Sequence, residues 1–355
     1  MVYKNILITG GAGFVGSNLA MKLKEDNPDV NIVSLDNLKR RGSELNIPRL
    51  KHSGVDFIHG DIRSKEDLHF LNTDLIIECS AEPSVMAGVT SAPEYLINTN
   101  LVGAINCFEL ARKIKADIIF LSTSRIYPID YINKLNYGEE STRFTLEEKQ
   151  TIKGASAMGI TEDFPLEGVR SLYGATKLAS ELILNEYASL YGINVIINRC
   201  GVITGPWQFG KIDQGVFVLW VAKHIFKKEL SYIGFGGNGK QVRDFLHIDD
   251  LYELLKIQLK DIKKFSGRVY NVGGGIANSV SLCELTNICE KVTGNKIKIY
   301  SVPENRALDI ISYISDYSKI NSEAGWRPQK DLLSTIEDIY KWIIENRENL
   351  EAILN

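Results

Sequence analysis

Tyr173 and Lys177 stand four residues apart in Ser171-Leu-Tyr-Gly-Ala-Thr-Lys177. The pattern around them predicts a helix over 172–191, which puts both side chains on one face, a turn apart. An ammonium beside a phenol favours the phenolate and draws its pKa down from about 10. Bringing it near 7 takes about 4 kcal/mol of differential stabilisation. A phenol tuned in this way can take the proton of an alcohol while hydride leaves the same carbon. Spacing alone does not single this pair out, because Tyr252-Glu-Leu-Leu-Lys256 repeats it and reads as helix surface and core. Company does. Ile118-Ile-Phe-Leu-Ser-Thr-Ser124 is an apolar strand ending in hydroxyls. Thr123 or Ser124 there can hold an alcohol oxygen and share its proton, or can satisfy the backbone at the strand end.

A second constellation supplies a place for a hydride acceptor. Ile6-Leu-Ile-Thr-Gly-Gly-Ala-Gly-Phe-Val-Gly16 runs from a short apolar strand through spaced glycines into an amphipathic stretch. Gly10 can turn the chain tightly, Gly13 lets backbone N–H groups approach a pyrophosphate, and Gly16 lets the helix pack on the strand. The next apolar run, Asn31-Ile-Val-Ser-Leu35, ends at Asp36, whose carboxylate can accept both hydroxyls of an adenosine ribose and would repel a 2′-phosphate. This pattern specifies NAD. A glycine turn with an acid after the second strand also suits an S-adenosylmethionine-dependent methyltransferase, but such an enzyme has no use for Tyr173 and Lys177 beside Thr123.

These residues need a scaffold. Strands are expected at 4–8, 31–35, 55–59, 74–79, 117–122 and 193–199, with helical stretches between them, the longest at 93–115 and 172–191. The alternation predicts an α/β protein, a doubly wound parallel sheet covered on both faces. Ligands in such sheets bind beyond the carboxyl ends of the strands, here Gly10, Asp36, Asp61, Ala81, Thr123 and Cys200. Pro128 to Gly168 is long, polar and charged, and reads as a flap or a disordered segment. Beyond residue 200 the alternation weakens. The expected division is a dinucleotide-binding domain over 1–200 and a smaller C-terminal substrate-binding lobe over 201–355, with 245–275 returning to the first domain. A net charge of −3 gives no reason to expect nucleic-acid or anionic-membrane partners. No apolar run approaches a membrane span and no charged leader precedes the first strand, so the expected location is the cytoplasm. The five cysteines are scattered without paired spacing and the five histidines form no ligand pair, so no metal is expected.

With Gly10 to Gly16, Asp36, Ser122-Thr123 and Tyr173/Lys177 in place, the chain resembles the extended short-chain dehydrogenase/reductase family, which comprises nucleotide-sugar epimerases, dehydratases and decarboxylases. Within it the chain most resembles the 2-epimerases of CDP-paratose (CDP-tyvelose). The stretches that carry this are Leu35-Asp-Asn-Leu-Lys-Arg-Arg-Gly42, His59-Gly-Asp-Ile-Arg63, Trp207-Gln-Phe-Gly-Lys-Ile-Asp-Gln-Gly215 and Gly237-Asn-Gly-Lys-Gln-Val-Arg-Asp244.

The resemblance implies a Rossmann-type sheet and NAD held through cycles without net redox. Phe14 and Val15 would give backbone donors to the pyrophosphate, Asp36 and Asn37 would hold the adenosine ribose, and Asp61 with Ile62 would edge the adenine. Ala81 and Asn100 would line the nicotinamide side, and Ser122 and Cys200 would also bind the cofactor. Thr123, Tyr173 and Lys177 would be catalytic, with Lys177 also on the nicotinamide ribose. Ser84, Ser124, Arg125, Gln208, Asp213, Gln214 and Gln241 would face a nucleotide-sugar substrate. Arg243 would meet its diphosphate with a planar charged fork. For Arg243 a salt bridge, and for Gln208, Asp213 and Gln214 a loop packed on itself, are the structural alternatives. Helices 93–115 and 172–191, the latter carrying Leu178, Leu182, Ile183 and Tyr187, would pair across a homodimer.

Three departures bear on the substrate. Ala81-Glu-Pro-Ser-Val85 stands where the 2-epimerases carry Gly-Gln, Ser124-Arg125 replaces Asn-Lys, and Ile311 occupies a common arginine position. A fourth bears on the reaction. The related 4,6-dehydratases follow the threonine with Asp-Glu, whereas Thr123-Ser-Arg-Ile-Tyr127 offers no acid to protonate a leaving hydroxyl. Inversion at C-2 is the reading this favours, with C-4 epimerisation of a UDP-sugar, keto-sugar reduction and a non-catalytic dinucleotide sensor as the alternatives.

Overall fold

A computed structural model describes residues 2–89, 91–210 and 214–354. The chain divides into two compact units, one of residues 1–123, 172–199 and 252–269, the other of 124–171, 200–251 and 270–355. Residues 124–171, read from sequence within the first domain, cluster with the second unit.

The first unit is built on the parallel strands β1 (Asn5–Thr9), β2 (Asn31–Asp36), β3 (Asp56–His59), β4 (Leu75–Glu78) and β5 (Asp117–Thr123). Val195–Cys200 (β6) and Arg268–Val272 (β7) complete a seven-stranded sheet in the order β7-β6-β5-β4-β1-β2-β3. Strands β1 and β4 are neighbours in register, Ile6 opposite Leu75 and Thr9 opposite Glu78. The order reverses there, and this is where a crevice opens at the carboxyl edge of a doubly wound sheet. The central strands β1, β4, β5 and β6 are near-continuous apolar runs because both faces are covered. Leu7, Ile76, Ile118, Phe120, Val195 and Ile197 pack with Cys107, Phe108 and Ala111 of the helix α2 (Ala104–Ile114) and with Leu184.

The stretch read as one helix over 93–115 is interrupted. Glu94–Ile97 leads into a π-helical segment, Asn98–Gly103, before α2 begins. A π-turn carries an extra residue per turn and re-aims the side chains that follow. Gly103 falls at its end, where a Cβ would lie 2.6 Å from the Ile62 side chain. The second long helix, α3, spans Leu172–Tyr191 as expected.

In the second unit the polar segment after residue 124 is folded into short elements, a helix Ile129–Asn133 and the hairpins Tyr137–Glu139/Phe144–Leu146 and Ala155–Ser156/Gly159–Ile160. It is neither an open flap nor shapeless chain. A four-stranded sheet joins Val202–Thr204, Val242–His247, Ser279–Ser281 and Ser312–Tyr313. Asp244 is fully buried in it and accepts the Gly275 N–H at 3.2 Å. Gly273 has to be glycine, since a Cβ there would lie 2.2 Å from Asp244 Oδ2.

Burial pushes the Asp244 carboxyl up to about 6, against hydrogen bonds from Ser315, Gly275 and Gly274. A carboxyl that holds its proton better folded than unfolded adds stability in full below about pH 4 and loses it as pH rises through about 6. The span amounts to roughly 3 kcal/mol. Denaturant midpoints taken from pH 4 to 7 should therefore fall more steeply for the wild type than for Asp244→Asn.

Candidate active site

The parallel strands deliver Thr123 (β5), Ala81 (after β4), Gly10 (after β1), Asp36 (β2) and Asp61 (after β3) to one edge in that spatial order. Five strands at about 4.8 Å spacing span roughly 19 Å, the reach of an extended dinucleotide.

The middle of this edge is a glycine cradle. The helix α1 (Phe14–Asp26) opens at Gly13 with no side-chain cap and no acid in its first turn, leaving N–H groups of Phe14 and Val15 for an anion. Gly10 has φ 63°, and a Cβ on it would lie 3.0 Å from the Cys79 backbone. At Gly16 a Cβ would lie 2.3 Å from the Gly10 carbonyl oxygen. Gly16→Ala must push the turn off the helix. Overpacking of about 1–3 kcal/mol predicts NAD affinity lower by about ten- to a hundredfold, measured by titrating NAD into stripped protein.

The acidic end of this edge is prearranged. Asp36 accepts the N–H of Leu38 at 2.8 Å and of Ala12 at 3.1 Å. Burial raises its carboxyl, and the N–H groups of Leu38, Ala12 and Gly13 oppose the rise. Asn37 donates to Asp61 at 3.0 Å, and Arg63 grips the same carboxylate at 2.6 Å. Burial acts to raise Asp61, but the bonds from Arg63 and Asn37 outweigh it and hold the group at about 2. Arg63 also lies over the Tyr95 ring, 4.8 Å from its centroid. Ile62 is buried, and its carbonyl accepts from Asn106 at 2.9 Å. The cradle, the uncapped helix and this acidic end fit an NAD molecule.

At the other end Thr123 is buried at the tip of β5, and Tyr173 is half-buried in the first turn of α3 with Lys177 one turn on. The Lys177 side chain is only 2% exposed, and its ammonium meets Glu78 Oε2 at 3.4 Å. Beneath this group lies a second acid. Glu181, one further turn along α3, is gripped by Arg199 at 2.8 Å and accepts the Ser122 hydroxyl. Ser122, assigned to the cofactor from sequence, thus spends its hydroxyl tying β5 to α3.

Several other assigned side chains are committed locally. Asn100, in the π-segment, donates to the Glu82 carbonyl at 3.0 Å and accepts the Glu82 N–H at 2.7 Å, so it fixes the loop carrying Ala81. Ser84 sits in that loop and accepts the Met86 N–H. Gln208 accepts from Thr204 at 2.9 Å and donates to the Ile203 carbonyl at 2.9 Å, the self-packed alternative for its loop. Gln241 is buried and donates to the Ile233 carbonyl. Arg243 bonds Asp309 at 2.9 Å and the carbonyls of Ile310 and Val242 at 2.8 Å each, the salt-bridge alternative for that residue. Ser124 and Arg125 form a tight turn directly after Thr123, Cys200 is buried at the end of β6, and Gln214 is half-buried ahead of Val216–Ile225. Asp213 lies outside the described residues.

The duplicate Tyr252/Lys256 pair is structural. Its buried phenol donates to Asp26 at 2.7 Å and to the Lys22 carbonyl at 3.0 Å. Burial and the Asp26 acceptor both push that phenol upward, the reverse of what a base needs. All five cysteines are free. Among the described residues no group of three or more His, Cys, Asp or Glu could hold a metal ion, and no helix is long and apolar enough to cross a membrane.

Sequence reading missed Glu78, Glu181 and Arg199. The two acids left traces, one closing the apolar strand Leu75-Ile-Ile-Glu78 and the other a Lys-x-x-x-Glu step extending the Tyr173/Lys177 face, whereas Arg199 left none.

The model of the NAD dependent epimerase/dehydratase family matches residues 6–273. The chain is 31% identical to the CDP-paratose 2-epimerase of Salmonella typhi, over 95% of this chain and 98% of that one. It is 29% identical to the UDP-glucose 4-epimerase of Neisseria meningitidis, over 97% of this chain and 98% of that one. A crystal structure of the UDP-glucuronic acid 4-epimerase from Bacillus cereus, in complex with UDP-glucuronic acid and NAD, superposes with TM-score 0.77 at 25% identity, covering 96% of this chain and 99% of that one. The chain belongs to the NAD dependent epimerase/dehydratase family.

Proposed function

We propose that this enzyme is a nucleotide-sugar epimerase that inverts C-2 of a CDP-dideoxyhexose. The observation that carries the reading is the set Thr123, Tyr173 and Lys177 at the carboxyl edge of the sheet, in a chain similar over nearly its whole length to a CDP-paratose 2-epimerase. Held at the glycine cradle and Asp36, NAD would supply a reversible hydride acceptor for the sugar carbon. Tyr173 Oη removes the C-2 hydroxyl proton, and Thr123 Oγ1 holds the same oxygen. The Lys177 ammonium favours the phenolate form of Tyr173. The planar keto-sugar then presents its other face, and Tyr173 returns the proton as the inverted alcohol forms. Without an acid beside Thr123, loss of water does not compete.

Ser84, Ser124, Arg125, Gln208, Asp213, Gln214 and Gln241 are proposed to select the nucleotide and sugar. Arg243 is proposed to exchange Asp309 for diphosphate oxygens, a swap between two anionic forks of similar geometry. A homodimer is proposed through α3, where Leu182 is 59% and Leu190 69% exposed. Leu178, Ile183 and Tyr187 do not add to that face. Leu178 is buried, Ile183 and Tyr187 pack on the core, and Tyr187 also donates its hydroxyl to Glu109.

Similarity to UDP-sugar 4-epimerases supports a second reading, inversion at C-4 of a UDP-sugar. Proton NMR of products from CDP- and UDP-hexoses separates the two. The expected result is inversion at C-2 of a CDP-sugar with no net change in NADH absorbance. Conversion of UDP-hexoses at C-4 alone would replace it with the second reading, and stoichiometric NADH consumption would remove both.

A further inference from the structure

Glu78 is an acid where the fold asks for an apolar residue. It closes the buried strand Leu75-Ile-Ile-Glu78 and is itself 0% exposed. Its carboxylate is fixed from several elements. Oε1 accepts the Ser80 N–H at 2.9 Å and the Thr9 hydroxyl of β1 at 3.5 Å, and Oε2 meets Lys177 Nζ from α3 at 3.4 Å. The ammonium also lies 3.9 Å from the centroid of the Phe120 ring on β5. From α2, the remaining titratable group facing the pair is the buried thiol of Cys107, which burial and then Glu78 push upward.

A lysine taken out of water loses its hydration and stays charged only where an anion compensates it. An aromatic face contributes, but weakly beside a carboxylate. We infer that Glu78 is a positioning residue for the reaction, the buried counter-charge that fixes the Lys177 ammonium one helix turn from Tyr173. The inference rests on the proposed role of Lys177 beside Tyr173. Burial raises the Glu78 carboxyl, and the Lys177 ammonium pulls it back.

The arrangement also has a cost for the chemistry. Part of the ammonium's pull on the phenol is spent on Glu78, and in exchange the charge survives burial. Removing the carboxylate while keeping its shape should leave the buried ammonium without its counter-charge.

Glu78→Gln keeps an acceptor for Ser80 and Thr9 and removes the charge. Two readouts are taken, the pH profile of kcat on the NAD-bound enzyme and the Tm of NAD-stripped protein. The expected profile has its alkaline limb lower by at least about one pH unit. The expected Tm loss is about 5 °C for Glu78→Gln alone and under about 2 °C when Lys177 is already Met, because the uncompensated ammonium is then gone. An unmoved alkaline limb, or equal Tm losses in both backgrounds, would overturn the inference. Should Glu78→Gln fail to fold, a folded Glu78→Gln/Lys177→Met protein supports the pairing, and a double variant that also fails overturns it. A wild-type enzyme that holds NAD but inverts no nucleotide sugar would overturn the proposed function instead, and the Tm comparison would then decide the pairing alone.

Discussion

Tyr173→Phe is expected to lower kcat about a thousandfold while NAD stays bound. The substitution removes one hydroxyl and leaves the glycine cradle, Asp36 and the α1 N-terminus as they are. General acid–base groups contribute about 10²–10⁴ in rate, and the proposed base has no substitute on its helix turn. Because the proton transfer belongs to the chemical step, kcat and kcat/KM should fall together. Tyr252→Phe is the matched control. It deletes a buried phenol that donates to Asp26 and the Lys22 carbonyl, so it should lose about 1–3 kcal/mol of stability and leave turnover per folded molecule unchanged. Equal turnover in Tyr173→Phe and wild type would remove Tyr173 from its role.

Arg199→Met should be the most destabilising single change near the site. Arg199 is 5% and Glu181 2% exposed, and the guanidinium reaches both carboxylate oxygens, at 3.2 and 2.8 Å. Removing it strands a buried carboxylate whose remaining partner is the Ser122 hydroxyl. Breaking a buried pair from one side costs about 3–5 kcal/mol, read as a drop in the denaturant midpoint at unchanged slope. Glu181 lies one turn past Lys177, and Ser122 precedes Thr123. Loss of the clamp should therefore also loosen the Tyr173–Lys177 turn, with kcat of the folded fraction reduced. The double variant Arg199→Met/Glu181→Leu should recover much of the stability, since an apolar pair fills the space without an unpaired charge.

Both predictions depend on contacts that differ in how readable they were. The strand–glycine–helix unit, the acid at Asp36 and the helix 172–191 are local patterns, and a 3.6-residue period or an apolar run specifies them within a short window. Strands β1 to β6 were legible for the same reason. The seventh, Arg268–Val272, was not expected as a strand, because Arg-Val-Tyr-Asn-Val is short and mixed and its strand character comes from pairing at the sheet edge. The π-turn at Asn98–Gly103 left no periodic trace over only six residues.

Side-chain commitments were the least readable. Ser122 bonds a residue 59 positions away and Arg243 one 66 positions away, and no local pattern encodes such partners. Glu78 is the instructive case. A charged residue ending an all-apolar strand breaks the binary pattern, and such breaks concentrate at functional sites. Its partner, Lys177, had a full explanation on its own helix, so nothing in the sequence called for a second one.

Hydride is expected to leave one sugar carbon and return to that same carbon on its opposite face. The direct test is to give the enzyme the proposed substrate carrying deuterium at C-2 in ordinary water and to follow the label in the product by NMR. Retention of deuterium at C-2 of the inverted sugar, with no added cofactor, is the predicted result. Loss of the label to solvent, which would mean carbanion chemistry in place of hydride transfer, would contradict the account.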